Sequence, residues 1–300
     1  MYRPFVKMHL YFGEGVIHRP GQNPSFFPKN DSDNLVISFT DSGSEKPFMT
    51  LVSDHLADLH VVGAGCSAQC LPLYRYDDLG NRIDNITDWA LRQFQQQYAA
   101  TQPPGGSEPP GGLTKQDIFH YVYAVLHHPA YRAKYQLNLK REFPRIPFYD
   151  DFWQWAAWGQ QLMQLHLNYE TITPYPLERD DKDPETTRTA YKARLKAIKD
   201  AAPGTGDPPG RPYGSIEIDT LTTLSGIPAE AWEYQLGNRS ALEWVLDRYK
   251  ERTPKDPTIR EQFNTYRFRD YKEQVIDLLA RVCTVSVETM RIIHQMPDDS

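Results

Sequence analysis

The sequence predicts an α+β fold, a β-rich N-terminal part packed with a mainly helical C-terminal part. Three observations predict it. Short β-branched and aromatic runs separated by turn residues fill the stretch before residue 85. Beyond it the apolar residues recur with a helical period. Two Ser/Thr residues followed three positions later by an acidic residue then stand at the head of apolar runs, as in capping boxes. Residues 1–84 are therefore read as the β-rich part. Residues 85–300 are read as the mainly helical part, with Pro/Gly insertions near 101–113 and 201–214.

The strands come first. Phe5–Phe12, Asn34–Thr40, Phe48–Val52, Leu59–Val62 and Cys70–Tyr76 are the expected strands, and Pro72 marks the last as an edge. Turn-rich stretches such as Arg19–Pro24 and Asp41–Ser44 separate them. The start enters strand-like residues with little lead-in, as expected of a boundary cut inside a longer chain. Thr87 is expected to cap a helix over Asp88–Phe94, and Thr114 with Asp117 to box the start of Ile118–Leu126. A tryptophan-rich helix is expected over Tyr149–Leu167. Ser240 with Glu243 opens another, and a last helix runs over Arg269–Ile293. The acidic stretch Glu178–Glu185 reads as a solvated loop and Lys192–Lys199 as an exposed helix, with a small strand near Ser215–Asp219. No internal repeat is visible.

Composition narrows the function classes. The chain has 300 residues, 40% of them hydrophobic and 24% charged, which suits a folded domain with a real core. Three cysteines are too few for a disulfide framework, so a reducing, cytoplasmic setting is expected. No apolar run reaches the roughly 18–20 residues of a membrane span, and no signal-peptide pattern opens the chain. A net charge of −6 argues against a nonspecific nucleic-acid binder, but not against a module that gathers cations on one face.

Catalytic signatures are weak. His60–Ala68 imitates a dinucleotide fingerprint, yet a strand-like run rather than a helix follows the glycines, so the amide groups that would hold a pyrophosphate are missing. A glycine turn explains it better. His55, His60, Cys66 and Cys70 have zinc-compatible side chains, but not the tight spacing of a zinc knuckle, and packed residues are the commoner outcome. Asn23–Phe26 is close to the Asn-Pro-Pro-aromatic loop of adenine-specific methyltransferases, but Ser25 stands at the third position and a plain turn suffices. There is no phosphate loop and no recognisable nucleophile set. No catalytic residue, metal or cofactor is assigned to this chain.

Positive charge is clustered. Between residues 129 and 147, Arg132, Lys134, Lys140, Arg141 and Arg145 face only Glu142. Residues 248–272 hold eight Lys/Arg against four Asp/Glu, with aromatics interleaved as in Thr265–Arg269. Arg3, Lys7, Arg19 and Lys29 face only Glu14 before residue 30. Guanidinium groups pair with phosphates or guanine edges and stack on rings, although any single one of them is more often part of a solvated helix face.

Several ordered stretches carry a family likeness. Asp117–His127 continues into Pro129–Arg132, then Leu139–Pro147, Trp232–Trp244 and Asp256–Arg260, with Tyr2–Phe5 and Asp58–His60 fitting the same pattern. Together they resemble the C-terminal specificity domain of single-polypeptide type ISP restriction-modification enzymes, over essentially the whole chain. The resemblance implies a domain that reads a short asymmetric site in double-stranded DNA and presents its adenine to a methyltransferase domain, alongside a helicase-like translocase and a nuclease. S-adenosylmethionine, ATP and Mg would then serve those other domains. The candidate phosphate anchors are Lys7, Arg19, Lys140 and Arg141, and Arg145, Asn238, Arg239, Arg267 and Arg269 are candidates for bases or phosphates. Arg239 has an equally good alternative as an internal ion pair beside the Ser240 cap. Two competing readings stay open: a scaffold that docks only sister domains, and an enzyme for small molecules built on the Gly63 turn.

Overall fold

The computed structural model describes residues 1–11, 21–29, 31–63, 65–101, 112–199, 214–262 and 264–298. It contains both sheets and helices, an α+β fold, in two compact units. The first comprises Met1–Asn168, Leu236–Asn238 and Arg291–Ser300; the second comprises Tyr169–Gln235 and Arg239–Met290. Most of the two Pro/Gly insertions, residues 102–111 and 201–213, lies outside the described residues.

In the first unit the helical turn α1 (Asn23–Phe26) buries Phe26, so the methyltransferase-like Asn23–Phe26 stretch is a structural turn. Strand β1 (Val36–Thr40) is buried along its whole length because it lies between two antiparallel partners. Its Ile37 stands opposite Val52 of β2 (Thr50–Ser53) and Leu71 of β3 (Ala68–Pro72). Pro72 ends an edge strand, where a missing N–H is tolerated. The hairpin β4 (Tyr74–Tyr76) and β5 (Arg82–Asp84) follows.

Four helices and a short one complete the unit: α2 (Asp88–Gln97), α3 (Lys115–His127), α4 (Pro129–Lys134), α5 (Gln136–Leu139) and α6 (Phe152–Leu167). Thr87 caps α2 through the Ala90 N–H, and Thr114 and Asp117 form the expected box on α3. Many of the aromatic residues of the chain pack here. Tyr121 stacks on Phe152 at 5.1 Å and Tyr149 on Trp155 at 4.5 Å, within one core that also takes Ile292 and Met296.

Two expected strands are absent. Phe5 adopts a left-handed backbone (φ +56°), and Val6 N–H bonds Arg3 O, so Tyr2–Val6 is a tight turn rather than the start of a strand, and residues 7–11 are irregular. Leu59–Val62 is a run of turns closed by Val61 N–H to Asp58 O and Gly63 N–H to His60 O. In both places a turn buries a pair of apolar residues, Phe5 with Val6 and Val61 with Val62, which period alone cannot distinguish from a strand.

The second unit is built on a four-stranded antiparallel sheet in the order β6 (Glu178–Asp181), β9 (Thr222–Ile227), β8 (Gly214–Asp219), β7 (Ala193–Ile198), with the single turn α7 (Pro184–Thr187) between β6 and β7. This corrects two expectations. The first half of the acidic stretch, Glu178–Asp181, is an exposed edge strand, and Ala193–Ile198 within the lysine-rich run is the opposite edge rather than part of a helix. Leu195 alone is buried between exposed Arg194 and Lys196, the two-residue alternation of a strand, at a bulge where its φ is +45°. Lysines on an edge also discourage pairing with a foreign strand.

The helix α8 (Ala229–Glu233) leads to a hairpin of β10 (Gln235–Leu236) and β11 (Arg239–Ser240), and Ser240 with Glu243 boxes α9 (Ala241–Tyr249) as expected. Then come α10 (Pro257–Gln262), a 3-10 turn at Phe268–Tyr271 and α11 (Lys272–Ile293), so the final helix starts three residues later than expected. Lys272 sets that start: its ammonium lies 2.8 Å from the fully buried Asp219 Oδ2, whose other oxygen accepts Leu221 N–H and Thr222 N–H. No helix among the described residues is long and apolar enough to cross a membrane.

Candidate nucleic-acid interface

Five candidate residues fall in the first unit and three in the second, while Arg19 lies outside the described residues. In the first unit the geometry gathers some of them around one loop, residues 41–49, which joins β1 to β2. Gly43 takes the left-handed conformation there (φ +81°), and its N–H donates to Lys140 O at 2.7 Å. Buried Leu139 pins the preceding turn, and Lys140 and Arg141 leave it exposed with no ion pair among the described residues. Phe39 on β1 packs edge-on to Phe143 at 5.7 Å and against Phe48 at 6.0 Å, which ties the segment after α5 to the same loop.

The hairpin turn Leu236–Asn238 reaches the other end of that loop. A Cβ on Gly237 (φ +70°) would lie 3.6 Å from Met49 Sδ and 3.8 Å from Pro47 O, and the next residue, Asn238, is exposed. Lys140, Arg141 and Asn238 therefore flank one loop. Arg145 is 88% exposed and bonds Glu142 at 2.7 Å, a surface pair worth little once solvent competes. Lys7 is exposed on the separate segment before residue 12, where its charge reaches the Met1 amino group.

In the second unit Arg239 has found its internal partner. Its Nη1 lies 2.9 Å from Asp247 Oδ2, which Arg252 shares at 3.0 Å, and its guanidinium sits 5.2 Å from the Trp244 ring centre. Among the described residues Arg267 bonds backbone carbonyls, Asn264 O and Tyr266 O, and no carboxylate, which orients the guanidinium without cancelling its charge. Arg269 lies over the Tyr191 ring at 4.4 Å. Tyr266 and Tyr271 stack beside them at 5.4 Å.

Sequence reasoning passed over Phe143, because nothing in its neighbours signals that the ring stays 55% exposed. Arg132, counted in the cationic cluster between residues 129 and 147, turns inward: its Nε donates to Leu126 O and its guanidinium lies 5.6 Å from the Phe48 ring centre. The metal-compatible side chains have gone elsewhere. His60 Nδ1 bonds Cys66 O, the Cys66 thiol meets Ser44 Oγ at 2.9 Å, and the Cys70 thiol meets Ser38 Oγ at 3.6 Å. No group of three His, Cys, Asp or Glu residues is placed to hold a metal ion among the described residues. The Gly63 turn runs into strand β3, without the helix a pyrophosphate would need.

The model of one family, the type ISP C-terminal specificity domain, matches residues 1–278. The chain belongs to that family. Three solved structures are similar to this specificity domain over almost all of its length. The cryoEM structure of a DrdV–DNA complex is 54% identical, with a TM-score of 0.86 over 100% of the chain. A nuclease-deletion mutant of the type ISP restriction-modification enzyme LlaGI, in complex with a DNA substrate mimic, is 30% identical with a TM-score of 0.70 over 99%. The ATP-dependent type ISP restriction-modification enzyme LlaBIII bound to DNA is 28% identical, with the same TM-score over 99%. The specificity domain spans 28%, 24% and 18% of those three chains. No curated protein matches it.

Proposed function

We propose that this chain is the part of a type ISP restriction-modification enzyme that reads a short sequence in double-stranded DNA. In that role it holds a target adenine for a methyltransferase domain and licenses a helicase-like translocase and nuclease elsewhere in the same polypeptide. S-adenosylmethionine, ATP and Mg would be used by those other domains, in the cytoplasm. The observation that carries the reading is agreement over the whole chain with the structure of a DNA complex, at 54% identity. Exposed Lys140 and Arg141 beside the 41–49 loop supply the chemistry: ammonium and guanidinium groups that anchor phosphates, with Arg145 a few residues further on and Asn238 at the other end of the loop as the groups for base edges. Arg267 is the corresponding anchor in the second unit, whereas Arg239 contributes through its partner Asp247 and the cap of α9.

A salt titration of duplex binding tests this. Log affinity should fall linearly with log salt, and Lys140→Ala with Arg141→Ala should lower that slope by about 2 while weakening all duplexes alike. Arg145→Ala should instead relax base preference, at a cost of about 1–3 kcal/mol on the preferred site. Salt-independent binding, or no binding at all, would leave the scaffold reading in its place.

A further inference from the structure

We propose that Phe143 is a stacking wedge that occupies an opened base step when the Lys140–Arg145 segment lies against a duplex. This rests on the DNA-recognition reading and deepens it by assigning a contact that no cation can make. The ring is 55% exposed, yet it is held in place by its edge-on contact with Phe39 at 5.7 Å. The backbone on both sides is fixed. Gly43 N–H holds Lys140 O ahead of it, Tyr131 Oη donates to Arg145 O at 3.1 Å, and Tyr121 Oη donates to Pro147 O at 2.8 Å.

Pro144 and Pro147 restrict the same stretch further, because each fixes its own φ and biases the residue before it toward an extended conformation. Phe143 and Ile146 are those preceding residues. The result is a short rigid prong that presents an aromatic face between exposed Lys140 and Arg141 on one side and Arg145 on the other. Lone exposed apolar residues are ordinary on protein surfaces. A rigid ring with three exposed cations within three positions is placed for a polyanion that also offers a π-face, and a nucleobase between phosphates is that ligand. Proteins that open a duplex insert apolar side chains of this kind between base steps, and the step costs least where a base is already missing or unpaired.

The experiment compares one duplex, intact or with a single central abasic site, by fluorescence anisotropy at fixed salt. The wild-type chain should bind the abasic duplex about tenfold more tightly, since the ring stacks on the neighbouring bases without first unstacking one. Phe143→Ala and Phe143→Leu should lose that preference and bind the two duplexes equally; Leu keeps an apolar side chain on Phe39, so lost preference in both is a ring effect rather than a folding defect. Phe143→Trp should retain it. An unchanged preference in Phe143→Leu, or none in the wild type, overturns the wedge. Lys140→Ala with Arg141→Ala separates the two ideas: it weakens both duplexes equally if the cations anchor phosphates, and a wild-type chain that binds neither duplex sinks the recognition reading itself.

Discussion

Tyr123 illustrates how one hydroxyl can join three elements. Its Oη accepts Val52 N–H on β2 at 3.0 Å and donates to His166 Nδ1 on α6 at 2.6 Å, while its own carbonyl accepts from His127 Nδ1. The edge strand β2 thereby gains a buried acceptor in place of a neighbouring strand. Because the 41–49 loop ends on β2, this bond also fixes the loop that Lys140 and Asn238 flank. Tyr123→Phe should cost about 1–3 kcal/mol, because a buried N–H and a buried imidazole each lose a partner. Urea unfolding should show a lower midpoint with an unchanged m-value. Nothing in the run His120–His127 announces this role. The sequence shows an apolar helix face, and only the placement of Val52 and His166 makes the tyrosine a link.

At the scale of elements, the capping signals were legible and the pairing partners were not. Thr87, Thr114–Asp117 and Ser240–Glu243 cap their helices as their spacing predicts, because caps are local chemistry within one turn. Lys192–Lys199 misled because a Lys/Arg-rich run interspersed with good helix formers such as Ala193, Leu195 and Ala197 fits a solvated helix until β8 supplies a ladder for it. The close crossing of α3 and α6 is likewise tertiary. Gly159 is in mid-helix, where alanine is ordinarily better by about 1 kcal/mol, yet a Cβ there would lie 1.8 Å from His120 O. Gly159→Ala should therefore destabilise the first unit by about 1–3 kcal/mol, the usual cost of overpacking, against its propensity gain. A rise in melting temperature on this substitution would show that α3 and α6 do not approach so closely.

For the molecule as a whole, the buried histidines make stability sensitive to acid. Burial lowers His166 from 6.5 to about 3 and lowers His127 well below its ordinary value, with Arg132 and His166 adding to the effect on His127. Both fold neutral, so between pH 6.5 and about 3 the unfolded chain binds more protons than the native one, and stability falls as the pH drops through that window. The loss should begin below pH 6.5, above the range where carboxylates titrate. His166→Asn, which keeps an acceptor for Tyr123 Oη, should flatten the fall between pH 6.5 and 5 in urea unfolding. An equal slope in wild type and variant would place the acid sensitivity elsewhere. The acidic total of −6 is no obstacle to anion binding at the 41–49 loop, since exposed charges more than about 10 Å away are largely screened at 0.1 M salt.

By itself the sequence determined the α+β class, the three capped helix starts, the edge position of Pro72, the cation-rich stretches and, through ordered motifs, the family. Each of these is written in neighbours a few residues apart or in a pattern along the chain. Tertiary structure alone decided that Lys140 and Asn238, nearly a hundred positions apart, border one loop, that Arg239 pairs with Asp247, and that Phe143 remains half outside. Those outcomes depend on which surfaces meet after the chain closes on itself, and no local propensity encodes the partner that a side chain finds across that distance.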